Sequence, residues 1–382
     1  MFPNAAFTMK DLLRQRAHEL GFDDCRFTSA ATPASAPHLL QWLERGAHGE
    51  LTWLERNAAK RCDPQLVLGH ARSVIALAVN YGSDTWRESG DVRRQFDGAH
   101  GVAHPATTAD CKSQIVNRKS GVIARYARHT DYHDVLAGPL KALARFVDEL
   151  GGGGTRSLWY VDTGPILERD FAQRSGLGFI GKHTNVISRQ FGNWILLAEI
   201  LTTLELEPDA PEKNRCGTCT RCITACPTRA ITAPFQLDAR LCISYLTIEL
   251  KGAIPVELRP AIGNRIFGCD DCLAACPWNR FAREGRLMRQ HARAELDSPG
   301  LLELLALDDA QFKQRFAGTP MLRTKRRGLL RNVCVALGNT ACAEALPALA
   351  TAASDPEPLI AEHARWAISQ IEARTRSSSK GG

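Results

Sequence analysis

Eight of the 13 cysteines lie between residues 216 and 276, and their spacing constrains the fold more than any other feature of the sequence. Cys216–Pro227 has the spacing C-x2-C-x2-C-x3-C-P, and Cys269–Pro277 repeats this spacing without the first cysteine. Such a run places three thiolates on one tight loop around a 4Fe-4S cube, while the fourth thiolate binds a second cube. Cys242 lies between the two runs and is available as the missing ligand.

The spacing therefore predicts a ferredoxin-like domain with two 4Fe-4S clusters, which we place at residues 206–290. Cluster 1 is assigned to Cys216, Cys219, Cys222 and Cys276, and cluster 2 to Cys226, Cys242, Cys269 and Cys272. Zinc is the alternative, but zinc sites pair two C-x2-C hooks and leave the trailing Cys-Pro without a role. Disulfides require an oxidising compartment, which nothing in the sequence indicates.

Composition narrows the class of protein. The 382 residues suffice for two or three domains, and 44% hydrophobic with 23% charged residues is typical of globular proteins. No stretch reaches 18 apolar residues and residues 1–20 have no signal-peptide core, so we expect a cytoplasmic protein that is neither secreted nor membrane-spanning. The net charge of +7 favours a polyanionic partner, although charge alone does not identify one.

Residues 1–205 alternate helix and strand patterns, which predicts an α/β (α+β) domain. We expect helices at 9–20, 39–45, 51–56, 136–150 and 165–175, strands at 73–79 and 158–161, and a hairpin formed by 186–189 and 194–202. Residues 82–120 are polar and rich in glycine, which indicates a surface insertion. A metal site at His100, His104 and Cys111 is a weaker alternative for this segment.

Residues 291–372 are predicted to be helical. Helices at 326–337, 343–353 and 357–372 have HEAT-like texture, about one and a half repeats long. So short an array cannot bury its own apolar face, and we therefore expect it to pack on the ferredoxin-like domain. The polar end at 373–382 is predicted to be disordered. The cysteines outside the motif are expected to be structural thiols; they are Cys25, Cys62, Cys111, Cys334 and Cys342.

Several motifs follow one another in an informative order. They are Lys60–Pro64, Ala124–Ala127, Asp131–His133, Asp162–Arg169, Gly176–Lys182 and the two cysteine runs with Cys242–Glu249 between them. Together with the helical C-terminal region, they resemble the epoxyqueuosine reductase family, cobalamin-dependent iron–sulfur enzymes of tRNA modification. The resemblance covers nearly the whole chain outside 82–120, where the insertion is longer than is usual in the family. The chain also departs from the family at His129-Thr130, where glycine is more common, and at Phe179, where tryptophan is.

The resemblance implies the last step of queuosine biosynthesis. In that step epoxyqueuosine, at the wobble position of tRNAs with GUN anticodons, is reduced to queuosine by two electrons and two protons, and the oxygen leaves as water. The two clusters would pass single electrons from an external low-potential donor to cobalamin, whose cob(I)alamin form attacks the epoxide or donates electrons to it. A monomer is expected.

The leaving oxygen needs an acid, and the resemblance assigns this role to Asp131. A carboxylic acid beside a buried corrin would have a raised pKa and would stay protonated near neutral pH. The residues alone favour another role for Asp131, as the N-cap of the helix that follows it.

By resemblance, several segments hold the corrin. The residues are Arg61, Asp131, Asp162, Thr163, Gly164, Ile166, Arg169, Gly178, Lys182 and Tyr245. The alternative for Asp162–Pro165 is an ordinary helix N-cap. The glycines of Gly176–Gly181 match G-x-G-x-x-G, but a helix pattern precedes them where a dinucleotide site needs a strand. Cobalamin in this family is thought to lack a protein histidine on cobalt, so His133 and His183 are not expected to be ligands.

A basic stripe is expected to bind tRNA phosphates, with Lys251 near the anticodon loop. The stripe consists of Arg323, Lys325, Arg326, Arg327 and Arg331, and its alternative is a solvated helix face. Two other functions compete with the tRNA reductase. A corrinoid iron–sulfur reductase of the reductive-dehalogenase type would carry a twin-arginine export signal and no HEAT-like region. A non-catalytic electron carrier would bind the clusters without a corrin.

Overall fold

The structure of the protein is a computed structural model that describes residues 8–82 and 120–379. Apart from its first and last residues, the predicted insertion at 82–120 lies outside these ranges. So does the alternative metal site at His100, His104 and Cys111. Within the described ranges, no helix is both long enough and apolar enough to cross a membrane.

The described residues form α-helices and mostly short strands joined by 3-10 turns. The helices are α1 Met9–Glu19, α2 Ala36–Glu44, α3 Thr52–Arg56, α4 Ala58–Cys62, α5 Tyr132–Gly151, α6 Glu168–Arg174, α7 Arg221–Ala225, α8 Ile243–Ile248, α9 Arg259–Ile262, α10 Asp271–Ala274, α11 Arg286–Arg289, α12 Leu301–Leu305, α13 Asp309–Arg315, α14 Lys325–Thr340, α15 Leu346–Ala352 and α16 Pro358–Ser379. The strands are β1 Asp24–Ser29, β2 Ser73–Asn80, β3 Val122–Ile123, β4 Ser157–Tyr160, β5 Phe179–Ile180, β6 Val186–Ile187, β7 Ile195–Thr202, β8 Ile231–Ala233, β9 Gln236–Leu237 and β10 Arg265–Phe267.

Four strands form the main sheet, in the order β1-β2-β7-β4. Every neighbouring pair is antiparallel, and β2 pairs with β7 along its whole length. All residues of β2 are buried because helices cover both faces of the sheet. The sheet is therefore of the α+β kind, with no parallel pairing among its four strands.

The two faces of the sheet carry different helices. On one face, Phe27 and Leu77 pack against α1 and against Leu140 of α5. On the other face, Ala76 is small enough for α6 to approach closely through Ala172. The chain passes from β4 into α6 through residues 162–167, so the packing of α6 on the sheet sets the position of that turn.

Three predicted elements are wrong. The expected hairpin does not form, because β6 pairs with β5 while β7 pairs with β2 and β4. Pro165 does not open a helix: α6 begins at Glu168, and a hydrogen bond of 2.8 Å from Arg61 Nη1 to the Ile166 carbonyl holds the preceding loop. The end of the chain, expected to be disordered from residue 373, is helical as far as Ser379.

The C-terminal helices pack on the ferredoxin-like segment, as expected. Val333 of α14 shares an apolar core with Phe267 of β10. The buried amide of Asn332 donates to the carbonyls of Thr247 and Ile266, both at 2.8 Å. Apolar and polar contacts therefore both join the two regions. The HEAT-like classification of these helices stays a prediction.

Candidate active site

The eight motif cysteines form two groups of thiols. Thiol group 1 is Cys216, Cys219, Cys222 and Cys276, and thiol group 2 is Cys226, Cys242, Cys269 and Cys272. Burial, and then the other members of group 1, raise the pKa of Cys222 to about 11. Burial, and then the other members of group 2, raise the pKa of Cys272. The electrostatic neighbours of each thiol thus agree with the division expected from the spacing.

A 4Fe-4S cube and a single metal ion need different arrangements of their ligands. In the parts of the chain that the structure describes, no three His, Cys, Asp or Glu side chains are gathered as they would be around one metal ion. Thiolates that bind a cube attach to different iron corners, so they lie further apart than the ligands of one zinc ion.

The side chain of Lys182, which follows β5, contacts the loop that carries Cys216 and Cys219 of thiol group 1. Its Nζ donates to the carbonyls of Gly217 at 2.8 Å and Cys219 at 2.9 Å. Nearby, the ring of Phe179 meets that of Trp278 edge-on, with 5.3 Å between centroids. Lys182 therefore stabilises the loop that carries two of the thiols, and its contact with a corrin stays a prediction.

Asp131 is the N-cap of α5, which makes the capping alternative correct as geometry. Asp131 Oδ1 accepts a hydrogen bond of 3.0 Å from the His133 backbone N–H and lies 2.8 Å from His133 Nδ1. Asp131 Oδ2 accepts no hydrogen bond from the described residues. Capping therefore occupies one carboxylate oxygen and leaves the other available to a reacting group.

Asp162 approaches the same histidine from the turn after β4. Tyr132 Oη donates to Asp162 Oδ2 at 2.7 Å, and His133 Nε2 lies 3.9 Å from that oxygen. Asp162 has a left-handed φ of 56°, and its side chain is 54% exposed. Gly164 has no room for a side chain, since a Cβ would lie 2.5 Å from Tyr160 Cγ. The turn is therefore packed inward at Gly164 and open to solvent at Asp162.

The pKa of Asp131 lies below its usual value in the surroundings that the chain itself provides; the raised pKa expected beside a buried corrin stays a prediction. Burial raises this pKa, but the hydrogen bonds from His133 and the charges of His133 and Arg323 lower it by more. The carboxylate is therefore the favoured form near neutral pH in these surroundings. A proton must be brought to Asp131 before it can act as an acid.

Arg323 and Glu249, from distant segments of the chain, lie near Asp131 and Asp162. Arg323, just before α14, lies with its Nε 3.4 Å from Glu249 Oε1. Burial lowers the pKa of Arg323, but the charges of Glu249 and Asp162 raise it overall. The arginine predicted to bind tRNA phosphate is thus near the acid site, where it links the C-terminal region to the first domain.

Two acids lie near the Asp162 turn: Glu199 of β7 is fully buried and Glu168 is partly buried. Neither carboxylate oxygen of Glu199 has a hydrogen-bond partner among the described residues. Burial, and then the charges of Glu168 and Asp162, raise the pKa of Glu199 well above its usual value. Burial and Asp162 raise the pKa of Glu168 to about 7, against the opposing charges of Arg61 and Arg169. These surroundings therefore favour the neutral form of Glu199.

Other residues predicted to hold the corrin have contacts within the chain. Arg61 is buried; its Nη1 is bonded to the Ile166 carbonyl, while its Nε has no partner among the described residues. Tyr245 is buried, and its hydroxyl accepts a hydrogen bond of 2.9 Å from the Glu50 N–H. Arg169 is exposed. Of these three, Arg61 and Arg169 have donor groups still available for a ligand.

The predicted basic stripe is divided by the fold. Arg323, Lys325 and Arg327 are exposed. Arg326 is largely buried in an ion pair of 2.6 Å with Asp355. The exposed members suit a polyanion, whereas the guanidinium of Arg326 already has an internal partner.

The prediction that Arg331 binds tRNA is wrong. Arg331 is 1% exposed, because α14 is buried between α16 and the ferredoxin-like segment. Its guanidinium donates to the carbonyls of Leu246, Leu250 and Gly252 at 2.6 to 2.8 Å. Arg331 therefore holds the loop that presents Lys251, which is exposed.

Known proteins resemble the chain in sequence over nearly its full length. A family model described as epoxyqueuosine reductase QueG, DUF1730, matches residues 61–163, and a 4Fe-4S double cluster binding domain matches residues 215–279. The epoxyqueuosine reductase of Xanthomonas campestris pv. campestris is 40% identical over 364 residues, which cover 94% of this chain and 95% of that protein. The chain belongs to the epoxyqueuosine reductase family.

Solved structures of epoxyqueuosine reductases share the fold. One contains an epoxyqueuosine-modified stem loop of tyrosine tRNA; it has a TM-score of 0.80 and 32% identity, and covers 98% of this chain and 94% of its own. Another, from Bacillus subtilis, has its catalytic aspartate loop swung out of the active site; it has a TM-score of 0.79 and 31% identity, and covers 98% of this chain and 94% of its own.

The family matches cover the two halves of the candidate site. The epoxyqueuosine reductase model includes Arg61, Asp131 and Asp162, and the double cluster model includes all eight motif cysteines. Sequence reasoning missed Glu168 and Glu199 as neighbours of this site. A glutamate inside the apolar run of β7 was the available signal, because an unpaired charge is costly in a buried strand.

Proposed function

We propose that this chain reduces epoxyqueuosine in tRNA to queuosine. Family membership carries the proposal, since the relatives are named for this reaction and one solved member holds an epoxyqueuosine-modified tRNA stem loop. The site supports it, because a hydrogen-bonded acid and two groups of four thiols are the parts that a proton-coupled reduction requires. The chain is an oxidoreductase.

Each thiol group would hold one 4Fe-4S cluster. The double cluster domain itself follows from the match over residues 215–279. We assign cluster 1 to thiol group 1 and cluster 2 to thiol group 2. The electrostatic neighbours of Cys222 and Cys272 support this division. Gly217, Thr218 and Thr220, on the loop of group 1, are exposed. An external low-potential donor would therefore reach cluster 1 at this loop.

Cobalamin fits the open turn beside Asp131. Thr163 is exposed there and Gly164 is packed against Tyr160, so the backbone of the turn, including that of Asp162, faces a ligand. The Asp162 side chain is held by Tyr132 on the His133 side of the turn, where it stays open to solvent. The unpartnered Nε of Arg61 is a buried donor near Glu168 of the same turn. Ile166, Arg169, Gly178, Lys182 and Tyr245 remain proposed contacts. When bound, the corrin cobalt supplies the electrons that reduce the epoxide.

Asp131 would protonate the leaving oxygen. His133 holds Asp131 Oδ1, which orients the carboxyl group and leaves Oδ2 available. The N-cap role is compatible with this one, since the cap needs a single oxygen. A positioned general acid typically contributes about 10²- to 10⁴-fold to a rate.

The tRNA stem loop would lie across Lys251 and the exposed residues Arg323, Lys325 and Arg327. Cationic side chains bind nucleic acids mainly through phosphates, and such contacts position the substrate. Arg323 is the member nearest to the acid site, since its charge acts on both Asp131 and Asp162. It would therefore bind close to the modified nucleoside.

Conversion of the nucleoside tests the function. Protein loaded with clusters and cobalamin is incubated with a chemical low-potential reductant and a stem loop that carries epoxyqueuosine, and mass spectrometry should show queuosine in the digest. D131N should lower the rate by about 10²- to 10⁴-fold, while iron content and stem-loop affinity stay at wild-type values. Absence of queuosine with the wild-type protein would contradict the function. Full turnover by D131N would contradict only the role of Asp131.

A further inference from the structure

The proposed reaction needs two protons at one atom. Removal of the epoxide oxygen as water breaks two C–O bonds and forms one C=C bond; two electrons enter, and both protons end on the oxygen. Asp131 carries one proton at a time. It must therefore be reloaded within each turnover if it is to supply both protons.

His133 lies between Asp131 and a carboxylate that is open to solvent. Its Nδ1 is 2.8 Å from Asp131 Oδ1, and its Nε2 is 3.9 Å from Asp162 Oδ2. His133 Nε2 is buried and has no hydrogen-bond partner among the described residues. An imidazole can take up a proton at one nitrogen and release one from the other. A small side-chain movement or one bridging water would close the longer gap.

We propose that His133 is a proton relay that reloads Asp131, with Asp162 as the port to solvent. The inference rests on the proposed function, in which Asp131 protonates the leaving oxygen. In each transfer, a proton arriving at Asp162 passes to His133 Nε2, and the proton on Nδ1 passes to Asp131 Oδ1. Rotation of the Asp131 carboxyl group then brings this proton to the side that faces the leaving oxygen. The sum is one proton moved from solvent to Asp131, with no electron transferred. Between turnovers the imidazole, whose side chain is 27% exposed, turns outward and exchanges its ring protons with solvent, which restores the starting tautomer.

Tyr132 fixes the geometry of this path. Its ring stacks on the imidazole with 4.2 Å between centroids and an interplanar angle of 28°. Its hydroxyl donates to Asp162 Oδ2, the oxygen that faces His133 Nε2. Tyr132 thus holds both the plane of the ring and the carboxylate opposite it. The charge of Arg323 interacts with both carboxylates and lowers the pKa of Asp131, which favours the ionised form of Asp131 between transfers.

The substitution H133N separates relay from positioning. The side-chain amide nitrogen that it introduces occupies the place of the imidazole Nδ1, so the variant can still donate to Asp131 Oδ1. The amide does not pass a proton from one side to the other, because it does not titrate in this pH range. His38 is an exposed histidine on α2, and H38N serves as the matched control.

Turnover of the modified stem loop is the first measurement, in loaded protein with and without added imidazole. H133N should be slower by about 10- to 100-fold with unchanged stem-loop affinity, its solvent deuterium isotope effect should increase, and imidazole should restore much of the rate. H38N should match the wild type. A wild-type rate in H133N, or a slow rate that imidazole does not restore, overturns the relay.

Nitrogen NMR of histidine-labelled protein gives a readout that does not depend on activity. The His133 ring resonances should change in both D131N and D162N, and those of His38 should change in neither. A response to D131N without a response to D162N overturns the assignment of the port. Inactive D131N together with fully active H133N would remove the relay and leave the proposed function in place, whereas active D131N would remove Asp131 as the donor.

Discussion

The thiol groups and the acid site differ in how the chain assembles them. Seven of the eight motif thiols come from two short runs, 216–226 and 269–276, in which spacing alone brings the ligands together. The acid site joins Asp131 and His133 to Asp162, which is about 30 residues further on, and to Arg323 from the far end of the chain. A local motif therefore specifies the first region, while only the folded chain specifies the second.

This difference between local and long-range assembly also determines how well the type of a residue predicts its role. A cysteine in one of the two motif runs predicts a cluster ligand, because the spacing excludes most other ligand sets. An aspartate before a helix can be a helix cap or a catalytic acid. Asp131 does cap α5, and its second oxygen is left available, so its role as an acid stays a proposal. Its lowered pKa follows from His133, which no local pattern marks as a partner.

Removal of one thiol should have the largest effect and tests the local side of the comparison. C272A leaves thiol group 2 with three ligands, so iron should fall from about eight to about four atoms per chain. Turnover should then be undetectable if, as proposed, the electron path includes both clusters. C334A is the control, because Cys334 is a buried cysteine that belongs to neither group; it should keep its iron and lose about 1 kcal/mol of stability. Equal iron loss in C272A and C334A would show that the spacing of the motif cysteines does not by itself identify the cluster ligands.

The basic stripe offers a second test, on the side where the fold decides. R331M leaves the carbonyls of Leu246, Leu250 and Gly252 unpaired in the core, so the free energy of unfolding should fall by about 3 kcal/mol. R327A should change stability by less than about 0.5 kcal/mol. It should instead weaken stem-loop binding and lower the salt slope by about one unit. Denaturant titration and binding at two salt concentrations measure both variants. Similar stabilities would show that α14 exposes Arg331.

Much of the molecule follows from the sequence, and the errors have physical causes. The buried strand β2, the helix over Tyr132–Gly151 and the grouping of thiols all rest on short-range patterns, and the structure agrees with them. Arg331 was misplaced because α14 is buried on nearly all sides, which the exposed charges at its start conceal. The hairpin failed because the strand pairing of β7 is set by distant strands, which short-range alternation does not report.

Glu199 gives the smallest expected effect, one that depends on pH. The test is the substitution E199Q. The glutamine side chain is neutral at every pH, whereas the pKa of Glu199 in the folded wild type is raised above its ordinary value of 4.5. Below that value both states carry the proton, and the wild type keeps the full stability that the neutral side chain permits. As pH rises, the unfolded carboxyl ionises while the folded one keeps its proton, so the wild type loses stability, by about 1.4 kcal/mol per pH unit at most.

E199Q should therefore gain stability relative to the wild type as the pH rises from 5 to 8, as measured by chemical unfolding. The charge of Glu168, whose pKa is about 7, acts on Glu199, so the two acids titrate together and the difference between the proteins reports the pair. A difference that does not change with pH would mean that Glu199 is ionised in the fold, with a cation or donor as its partner. The pH-dependent result would instead mean that Glu199 is a neutral, protonated acid close to Asp162. Among the residues that the structure describes, neither of its oxygens is hydrogen-bonded to a basic side chain that could stabilise a carboxylate. That arrangement keeps protons near the turn through which we infer that Asp131 is reloaded.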